Sequence, residues 1–426
     1  MSAYLDHAAT SPTLPEVADL VREAMTQVGN PSSLHAAGRE ARRRVEEARE
    51  DLADALGARP SEVIFTSGGT ESDNLAVKGL YRQAVDADPA RRRLIVSSAE
   101  HSAVLDSVES LVAREGASVT WVDPGRDGVI APDVLRAALE DPAAGGPSSV
   151  AALVAMWANN ETGVVQPIAD LAAVGAAYDV PLFTDAVQAV GKVPVGFAAS
   201  GATLLAATGH KVGGPVGAGL LLATREAPVQ AISHGGGQER RLRSGTLAMP
   251  LIVGLARAIR LAVDRREAEA ARLAALRDRL LDGVLAAVPG AAVTGRWERG
   301  DALTRTPTHA HVLIPGCEGD SLLFLLDAAG IACSTGSACH AGVPQPSHVL
   351  LAMGYPEEDV HGALRLTLGW SSTDADVEAL LAALPEAVER AQRAYAATAA
   401  RAAAREPRRT TSSIAERSTA GPEGGS

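Results

Sequence analysis

The stretch VIFTSGGTESDNLAVKGLY, residues 63–81, decides the fold class of this chain. It begins with the β-branched and aromatic run 63–66, is broken by Gly68-Gly69-Thr70, and continues over 71–81 with helical character. A short apolar strand, a glycine turn and a helix, in that order, form the repeating unit of α/β proteins. We therefore predict a sheet whose strands are connected by helices.

Further strand-like and helix-like stretches alternate along the first 260 residues. The predicted strands are 94–96, 150–157, 180–184, 203–206 and 219–222, and alanine-rich helices are predicted over 134–139 and 168–178. Crossover helices give parallel strands, so we expect a mostly parallel sheet that is buried on both faces. Such folds bind ligands at the carboxyl ends of their strands, and functional residues should therefore follow the strands directly.

The pattern changes in the last third of the chain. A long alanine-, leucine- and arginine-rich helix is predicted over 249–288, and a strand (309–314), a helix (319–329), a strand (364–368) and a helix (374–397) follow it. We predict a large domain of residues 1–260 and a smaller α+β domain of residues 261–400, with the segment 1–15 a candidate to pack on the smaller one. Residues 406–426 are rich in small and polar residues, and we expect a disordered tail.

Composition excludes several classes of protein. The 426 residues carry a net charge of −12, which disfavours direct binding to nucleic acid or to an anionic membrane. No apolar run approaches the roughly 18 residues that a membrane helix needs, and the N-terminus lacks the pattern of a secretory signal. Three cysteines in so long a chain argue against a disulfide framework. We expect a soluble cytoplasmic protein.

A lysine lies in the glycine-rich turn after the predicted strand 203–206. The turn begins with Thr208-Gly209-His210-Lys211. Poor solvation behind a buried strand lowers the pKa of a lysine, which frees its amine to form a Schiff base. Thr208 and His210 can donate hydrogen bonds to an anion. The same residues also fit a loop with an exposed lysine.

Two more motifs follow predicted strands. Gly68-Gly69-Thr70 opens a helix, and the unpaired N–H groups of a helix N-terminus suit a phosphate. Asp185 follows the strand 180–184 and can pair with a protonated ring nitrogen. Each also has a purely structural interpretation, as a capped helix and a capping aspartate.

The smaller domain contributes a thiol and a buried cation. Cys339 lies in a run of small residues that starts at Ser334 and continues to Pro346, which is typical of an exposed, mobile loop. Cys333 is the competing thiol, but it follows an apolar pair and is predicted to be packed. Arg365, inside an apolar strand, needs an anion, either a substrate carboxylate or a structural partner. No C-x-x-C or H-E-x-x-H pattern occurs, so we expect no metal.

Taken in order, these motifs resemble the cysteine desulfurases of the NifS/IscS type, within the class V aminotransferase family of fold-type I pyridoxal-phosphate (PLP) enzymes. The segments that carry the resemblance are FTSGGTESDN (65–74), EH (100–101), NNETG (159–163), DAVQ (185–188), GHK (209–211), RSGT (243–246) and GSAC (336–339). The resemblance implies an α/β chain of the PLP-dependent transferase fold type I. Its large domain would hold a mostly parallel seven-stranded sheet, beside a smaller α+β C-terminal domain.

The resemblance also implies a role for each matching residue. Lys211 would hold PLP as a Schiff base and move the Cα proton, and His101 would stack on the ring. Asp185 would pair with the ring nitrogen and Gln188 with the ring hydroxyl. The implied cofactor-binding residues are Gly69, Thr70, Asn160, Asp185, Gln188, Thr208, His210, Lys211 and Thr246, the last from the other subunit of a homodimer.

For the substrate, the resemblance implies that Asn160 and Arg365 bind L-cysteine and that Cys339 takes its sulfur as a persulfide. An iron–sulfur scaffold or a tRNA-thiolation enzyme would accept that sulfur. The departures from the family pattern are mild: Thr208 replaces a frequent serine, and His340 a frequent threonine. The alternatives are a selenocysteine lyase or aminotransferase of the same fold, and a non-catalytic binding partner in a sulfur pathway.

Overall fold

The computed structural model describes residues 3–336 and 346–405. Within these ranges the strands are β1 (Ala3–Tyr4), β2 (Val63–Thr66), β3 (Arg93–Ser97), β4 (Ser118–Val122), β5 (Val150–Val154), β6 (Leu182–Asp185), β7 (Leu204–Thr208), β8 (Gly219–Ala223), β9 (Ala292–Val293), β10 (His309–Leu313), β11 (Ile331–Ala332) and β12 (Ala363–Thr367). Cys339, His340 and the predicted tail 406–426 lie outside the described residues.

The α-helices of the same ranges fill the connections. They are α1 (Pro15–Met25), α2 (Ala36–Leu56), α3 (Gly69–Ala87), α4 (Ser102–Glu115), α5 (Pro132–Glu140), α6 (Ile168–Ala176), α7 (Phe197–Ser200), α8 (Met249–Ala287), α9 (Gly319–Ala328), α10 (His348–Ala352), α11 (Glu357–Val360) and α12 (Asp374–Arg405). None of the described helices combines the length and the apolar character needed to cross a membrane.

Seven strands form one sheet in the order β2-β8-β7-β6-β5-β3-β4. The pairs from β7 to β4 are parallel, whereas β8 is antiparallel to both of its neighbours. The predicted mostly parallel α/β sheet is therefore confirmed. The exception has a simple cause: a loop without an α-helix joins β7 to β8, so the chain returns in the opposite direction.

Within the large sheet, the strand predictions differ most from the structure at β4 and β5. β4 was not predicted because it is an edge strand whose residues are mostly exposed or half-buried, which hides the apolar pattern of a strand. The strand predicted over 150–157 ends at Val154. The N–H groups of Ala155 and Trp157 still donate to carbonyls of β6, at 3.1 and 2.8 Å, so the backbone stays paired beyond the regular ladder.

Two large apolar cores share the helix α8. Its first half, including Leu255 and Ile259, packs with the seven-stranded sheet. Its second half, including Leu280 and Val284, packs with the three-stranded sheet β12-β10-β9. The predicted boundary at residue 260 falls inside this unbroken helix, and the domain limits stay a prediction.

The N-terminal segment runs beside the three-stranded sheet and then approaches the edge of the seven-stranded sheet. β1 pairs in parallel with β11, and Asp6 forms a bridge with Thr367 at the end of β12. The next residues, Ala8 and Ala9, reach the carboxyl ends of β6 and β7, where they border a cavity. This path brings the N-terminus, the large sheet and the small sheet to one place.

Candidate active site

A cavity of about 380 Å³ lies where the large sheet meets the three-stranded sheet. Its lining includes the following predicted site residues: Gly69, Thr70, His101, Asn160, Asp185, Gln188, Thr208, His210, Lys211 and Arg365. Their positions follow from the fold, because most of them come directly after a strand of the parallel sheet. The structure thus brings together residues that are up to 296 positions apart in the sequence.

Lys211 lies just after β7 and lines the cavity next to the N-terminal segment. Its Nζ donates hydrogen bonds to the carbonyl oxygens of Ala8, at 2.5 Å, and Ala9, at 2.7 Å. Burial, together with the positive charge of Arg365, lowers the pKa of Lys211 to about 8. A larger fraction of the amine is therefore neutral near physiological pH than for an ordinary lysine, as Schiff-base formation requires.

Asp185 ends β6 inside the same cavity and is buried. Its Oδ1 accepts a hydrogen bond from the N–H of Val187 at 2.8 Å. Burial raises the pKa of Asp185, and positive charge on His101 and Lys211 opposes that rise. Folding has already desolvated this carboxyl, so a cationic N–H group that binds it would form a buried, charge-assisted hydrogen bond.

Two buried acids close to Asp185, Asp73 and Glu100, had no role assigned to them from the sequence. Asp73 lies on α3, and burial, with the negative charges of Asp185 and Glu100, raises its pKa well above the usual range. Burial also raises the pKa of Glu100 to about 8. Both residues lie within the segments that carry the family resemblance. Asp73 comes close to Asp185 through the packing of α3 against the sheet. Glu100 follows β3 and accepts a hydrogen bond from the N–H of Met156, just beyond β5.

His101 caps the N-terminus of α4 and faces the cavity. Its Nδ1 accepts a hydrogen bond from the N–H of Ala103 at 3.1 Å. Burial lowers the pKa of His101, so the neutral ring is favoured. Because Nδ1 is the acceptor, the ring proton is on Nε2.

The N-terminus of α3 borders the cavity near the start of β8 and is a candidate anion site. Gly69 and Thr70 form its first turn. The turn sits close to β8, since a Cβ on Gly219 would lie 2.6 Å from the Cα of Gly68. Unpaired N–H groups and the helix dipole at such a terminus attract a phosphate.

Thr208 and His210 border the same anion site. The Thr208 hydroxyl donates to the carbonyl of Ala218 at 3.1 Å, which leaves its oxygen free to accept. His210 Nδ1 lies 3.2 Å from the Thr10 hydroxyl, and burial, with Lys211 and Lys192, lowers the pKa of His210 to about 4. A neutral His210 can therefore act as a hydrogen-bond donor through one ring nitrogen.

Arg365 lies in the middle of β12 and points into the cavity between two partners. Its Nη1 donates to the carbonyl of Asn160 at 3.0 Å, and its Nη2 donates to Asp6 Oδ1 at 2.9 Å. Its Nε and the Oδ1 of Asn160 are buried and have no hydrogen-bond partner within the described part of the chain. Arg365 thus has a structural ion pair and also an unused buried donor, and its role toward a substrate carboxylate stays a prediction.

Of the two thiols that the structure describes, neither is suited to react. Cys333 and Cys317 are buried, and burial raises their pKa values to about 12 and about 11. Cys339 lies outside the described residues. The chain on either side of it is described: Gly336 lines the cavity, and Ser347 donates to Glu161 Oε2 at 2.5 Å.

Glu161 and His348 are cavity residues that sequence reasoning missed. Glu161 is buried, its pKa is raised by burial, and a Cβ on Gly336 would lie 3.3 Å from its Oε2. His348 begins α10 and its Nε2 lies 2.9 Å from the carbonyl of Glu100. Glu161 belongs to the NNETG segment, so the sequence marked its position without indicating its contacts.

Thr246 does not line the cavity of its own chain. It is exposed, on the segment that follows Arg243, whose guanidinium forms an ion pair of 2.8 Å with Glu71 on α3. A role for Thr246 in the site of a second subunit stays a prediction.

Comparison with known proteins gives the class of the chain. The sequence matches the class-V aminotransferase family over residues 3–380. The chain therefore belongs to this PLP-dependent family. Within it, the chain belongs with the cysteine desulfurases of the NifS/IscS type, as its similarity to individual members shows.

Two relatives and two solved structures illustrate that similarity. An IscS-like cysteine desulfurase of Mycobacterium tuberculosis is 53% identical, over 92% of this chain and 98% of that protein. Cysteine desulfurase IscS of Methanosarcina thermophila is 39% identical, over 91% and 92%. The solved structure of a NifS-like protein is 30% identical, with a TM-score of 0.81 over 92% of this chain and 100% of the other. DndA from Streptomyces lividans is 38% identical, with a TM-score of 0.69 over 85% and 99%.

Proposed function

We propose that this chain is a PLP-dependent cysteine desulfurase, which takes sulfur from L-cysteine, releases L-alanine and passes the sulfur on through Cys339. One observation carries the proposal: Lys211, with a pKa lowered to about 8, shares a single cavity with the buried Asp185 and with His101. Membership of the class-V aminotransferase family supports it.

The residues of the cavity fit PLP. The Lys211 amine suits its aldehyde, the buried Asp185 suits its ring nitrogen, and the N-terminus of α3 with Thr70 suits its phosphate. The orphaned Oδ1 of Asn160 is a buried acceptor that a ligand group can satisfy. When bound, PLP supplies an electron-withdrawing ring that spreads the charge left when Cα loses a proton.

The remaining chemistry falls to side chains of the chain itself. Lys211 would hold the cofactor, and its amine is placed to take the Cα proton of the substrate and return it. Neutral His101, with its proton on Nε2, can give that proton to a group in the cavity. The unused Nε of Arg365 can join its Nη atoms in holding the substrate carboxylate.

Sulfur transfer is assigned to Cys339 because the alternatives are unsuitable. Cys333 and Cys317 are buried with raised pKa values. Gly336, three residues before Cys339, lines the cavity. In the proposed step the Cys339 thiolate bonds to the substrate sulfur while the bond from that sulfur to Cβ breaks. The electron pair of the broken bond takes up a proton and becomes the third C–H bond of the alanine methyl group.

The proposal also includes a second subunit and a sulfur acceptor as partners of this chain. We infer a homodimer, in which Thr246, exposed on its own subunit, reaches the phosphate end of the other cavity. The sulfur acceptor is proposed to be an iron–sulfur scaffold or a tRNA-thiolation enzyme, since a persulfide on a loop thiol can be attacked directly by an acceptor thiol.

The test combines a spectrum with product analysis. Purified protein with added PLP should show a visible cofactor band and release alanine from L-cysteine, with one sulfur transferred for each alanine. Lys211→Ala should lose both the bound-cofactor band and alanine release. Cys339→Ser should keep the band and lose sulfur transfer. A keto acid or alanine formed equally well by Cys339→Ser would contradict the proposal and favour an aminotransferase.

A further inference from the structure

Lys192 is a buried lysine that the proposed chemistry does not use. It follows Gln188 by one helical turn after β6, and the N–H of Lys192 donates to the carbonyl of Ala189. Its residue is 9% exposed. Lysine is scarce in this sequence: of 39 basic residues, only Lys78, Lys192 and Lys211 are lysines. A buried lysine in a chain that otherwise uses arginine points to a need for a compact ammonium group.

The ammonium of Lys192 contacts a cavity residue directly. Its Nζ donates to Oε1 of Gln188 at 2.6 Å, and Nε2 of Gln188 donates to the carbonyl of Ala8 at 2.9 Å. The same Ala8 oxygen accepts from Nζ of Lys211. A chain of hydrogen bonds therefore runs from Lys192 through Gln188 and Ala8 to Lys211.

These contacts determine which way the Gln188 amide faces. If the amide were flipped, its NH₂ group would meet the Lys192 ammonium, donor against donor. Its oxygen would also meet the Ala8 carbonyl, acceptor against acceptor. The observed orientation avoids both conflicts, so the amide presents Nε2, with a second hydrogen, as its donor toward the cavity that Gln188 lines. A nearby ammonium also polarises the amide and strengthens that donor.

The charge of Lys192 is not balanced by an acid. In residues 3–336 and 346–405, no carboxylate forms an ion pair with it and Gln188 is its side-chain partner. The titratable and charged groups that face it are Lys211, Arg365, His7, His210 and His309. Arg265 and Glu269 line a neighbouring pocket with Lys192, and the Glu269 carboxylate is paired with Arg272 at 2.7 Å. Burial, with Lys211 and Arg365, lowers the pKa of Lys192 to about 7. Without a compensating anion Lys192 is therefore only partly charged near neutral pH, and an anion bound in the cavity would favour its charged form.

We propose that Lys192 is a positioning residue for the cofactor: it acts through Gln188 to fix and strengthen the hydrogen bond that this amide gives to the ring hydroxyl oxygen of PLP. The inference rests on the proposed function, because it needs PLP in the cavity. Positive charge behind Gln188 favours the anionic form of that oxygen, and so makes loss of a proton from the bound cofactor easier. Removing the charge should make that loss harder.

The test is a pH titration of the cofactor's visible absorption, together with the PLP dissociation constant. Lys192→Met should move the midpoint to higher pH by roughly one unit and weaken PLP binding about tenfold. Lys192→Gln keeps a donor but no charge, so it should shift the midpoint while binding PLP more tightly than Lys192→Met. Lys78→Met, the same substitution on α3, serves as the matched control and should match the wild type.

Stability of the cofactor-free protein separates this role from a structural one. Since Lys192→Met removes an unpaired buried charge, its melting temperature without PLP should equal or exceed that of the wild type. A wild-type midpoint and PLP affinity in Lys192→Met would overturn the inference. If that variant does not fold, the same result in Lys192→Gln would overturn it. A wild type without any visible cofactor band would overturn the proposed function and this inference with it.

Discussion

Nη2 of Arg365 lies 2.9 Å from Oδ1 of Asp6, so the N-terminal segment supplies the carboxylate that holds this guanidinium at the cavity. Both side chains are largely buried, at 7% and 21% exposed. The pair links β12 of the small sheet to the residues that lead toward Ala8, the carbonyl partner of Lys211. The ion pair holds in the cavity the guanidinium that we propose binds the substrate carboxylate.

Arg365→Lys should raise the KM for L-cysteine by at least about tenfold and change kcat less. Lysine keeps the charge but loses the planar fork that binds a carboxylate through two hydrogen bonds. Steady-state alanine release measures both constants. Asp6→Asn, which keeps the shape of the partner, should raise the KM to a smaller extent. An unchanged KM in Arg365→Lys would reduce Arg365 to a structural role.

Cys333 and Cys317 should resist alkylation in the folded protein. Both are buried, and their raised pKa values keep them as thiols at pH 8. Brief treatment with iodoacetamide, followed by peptide mass spectrometry, should find neither residue modified, whereas both are modified after unfolding in urea. Rapid labelling of Cys333 in the folded chain would contradict its buried position and reopen it as a sulfur acceptor.

Ser347→Ala should lower the free energy of unfolding by about 1–2 kcal/mol. The Ser347 hydroxyl accepts from the N–H of Leu350 as the N-cap of α10 and donates to the buried Glu161. The substitution removes the cap and leaves a buried carboxyl oxygen without its partner. Urea unfolding measures the change. Ser347→Thr keeps a capping hydroxyl and should lose less, and equal losses in the two variants would count against the cap.

Glu100→Gln should change how stability depends on pH. The pKa of Glu100 is raised from 4.5 to about 8, so between these values the folded state holds a proton that the unfolded state has lost. Stability from this group is present below about pH 4.5 and is lost as pH rises through 8. Glutamine mimics the protonated acid and keeps an acceptor for the N–H of Met156.

The variant should therefore gain stability relative to the wild type as pH rises from 4.5 to 8, by on the order of a few kcal/mol in total. Above pH 8 the difference should level off. Thermal unfolding of cofactor-free protein at a series of pH values measures it. A difference that is constant across this range would show that Glu100 has an ordinary pKa in the folded protein.

The sequence predicted the parts of the site that depend on local order along the chain. Asp185 and Lys211 each follow a buried parallel strand closely, and strands of this kind end at one edge of a sheet. Once the strands were recognised, the meeting of these two residues followed. The apolar strand around Arg365 singled out that residue, and the family resemblance added His101 and Asn160; all three line the same cavity.

Contacts made by tertiary packing were beyond sequence reasoning. Asp73 meets Asp185 because α3 packs on the sheet, and Ser347 meets Glu161 across 186 positions of sequence. The Lys192–Gln188 contact spans one helical turn, yet its interpretation depends on the finding that no acid among the described residues forms an ion pair with Lys192. β4 was missed because an exposed edge strand lacks the apolar pattern of a buried one.

The most direct test of the central claim is the location of the sulfur after one turnover. The wild-type protein, loaded with PLP and given L-cysteine under anaerobic conditions, should carry one extra sulfur atom, and peptide mass spectrometry should place it on Cys339. Cys339→Ser should carry none, and Cys333→Ser should be labelled like the wild type. Sulfur on Cys333, or alanine release without any protein-bound sulfur, would contradict the account.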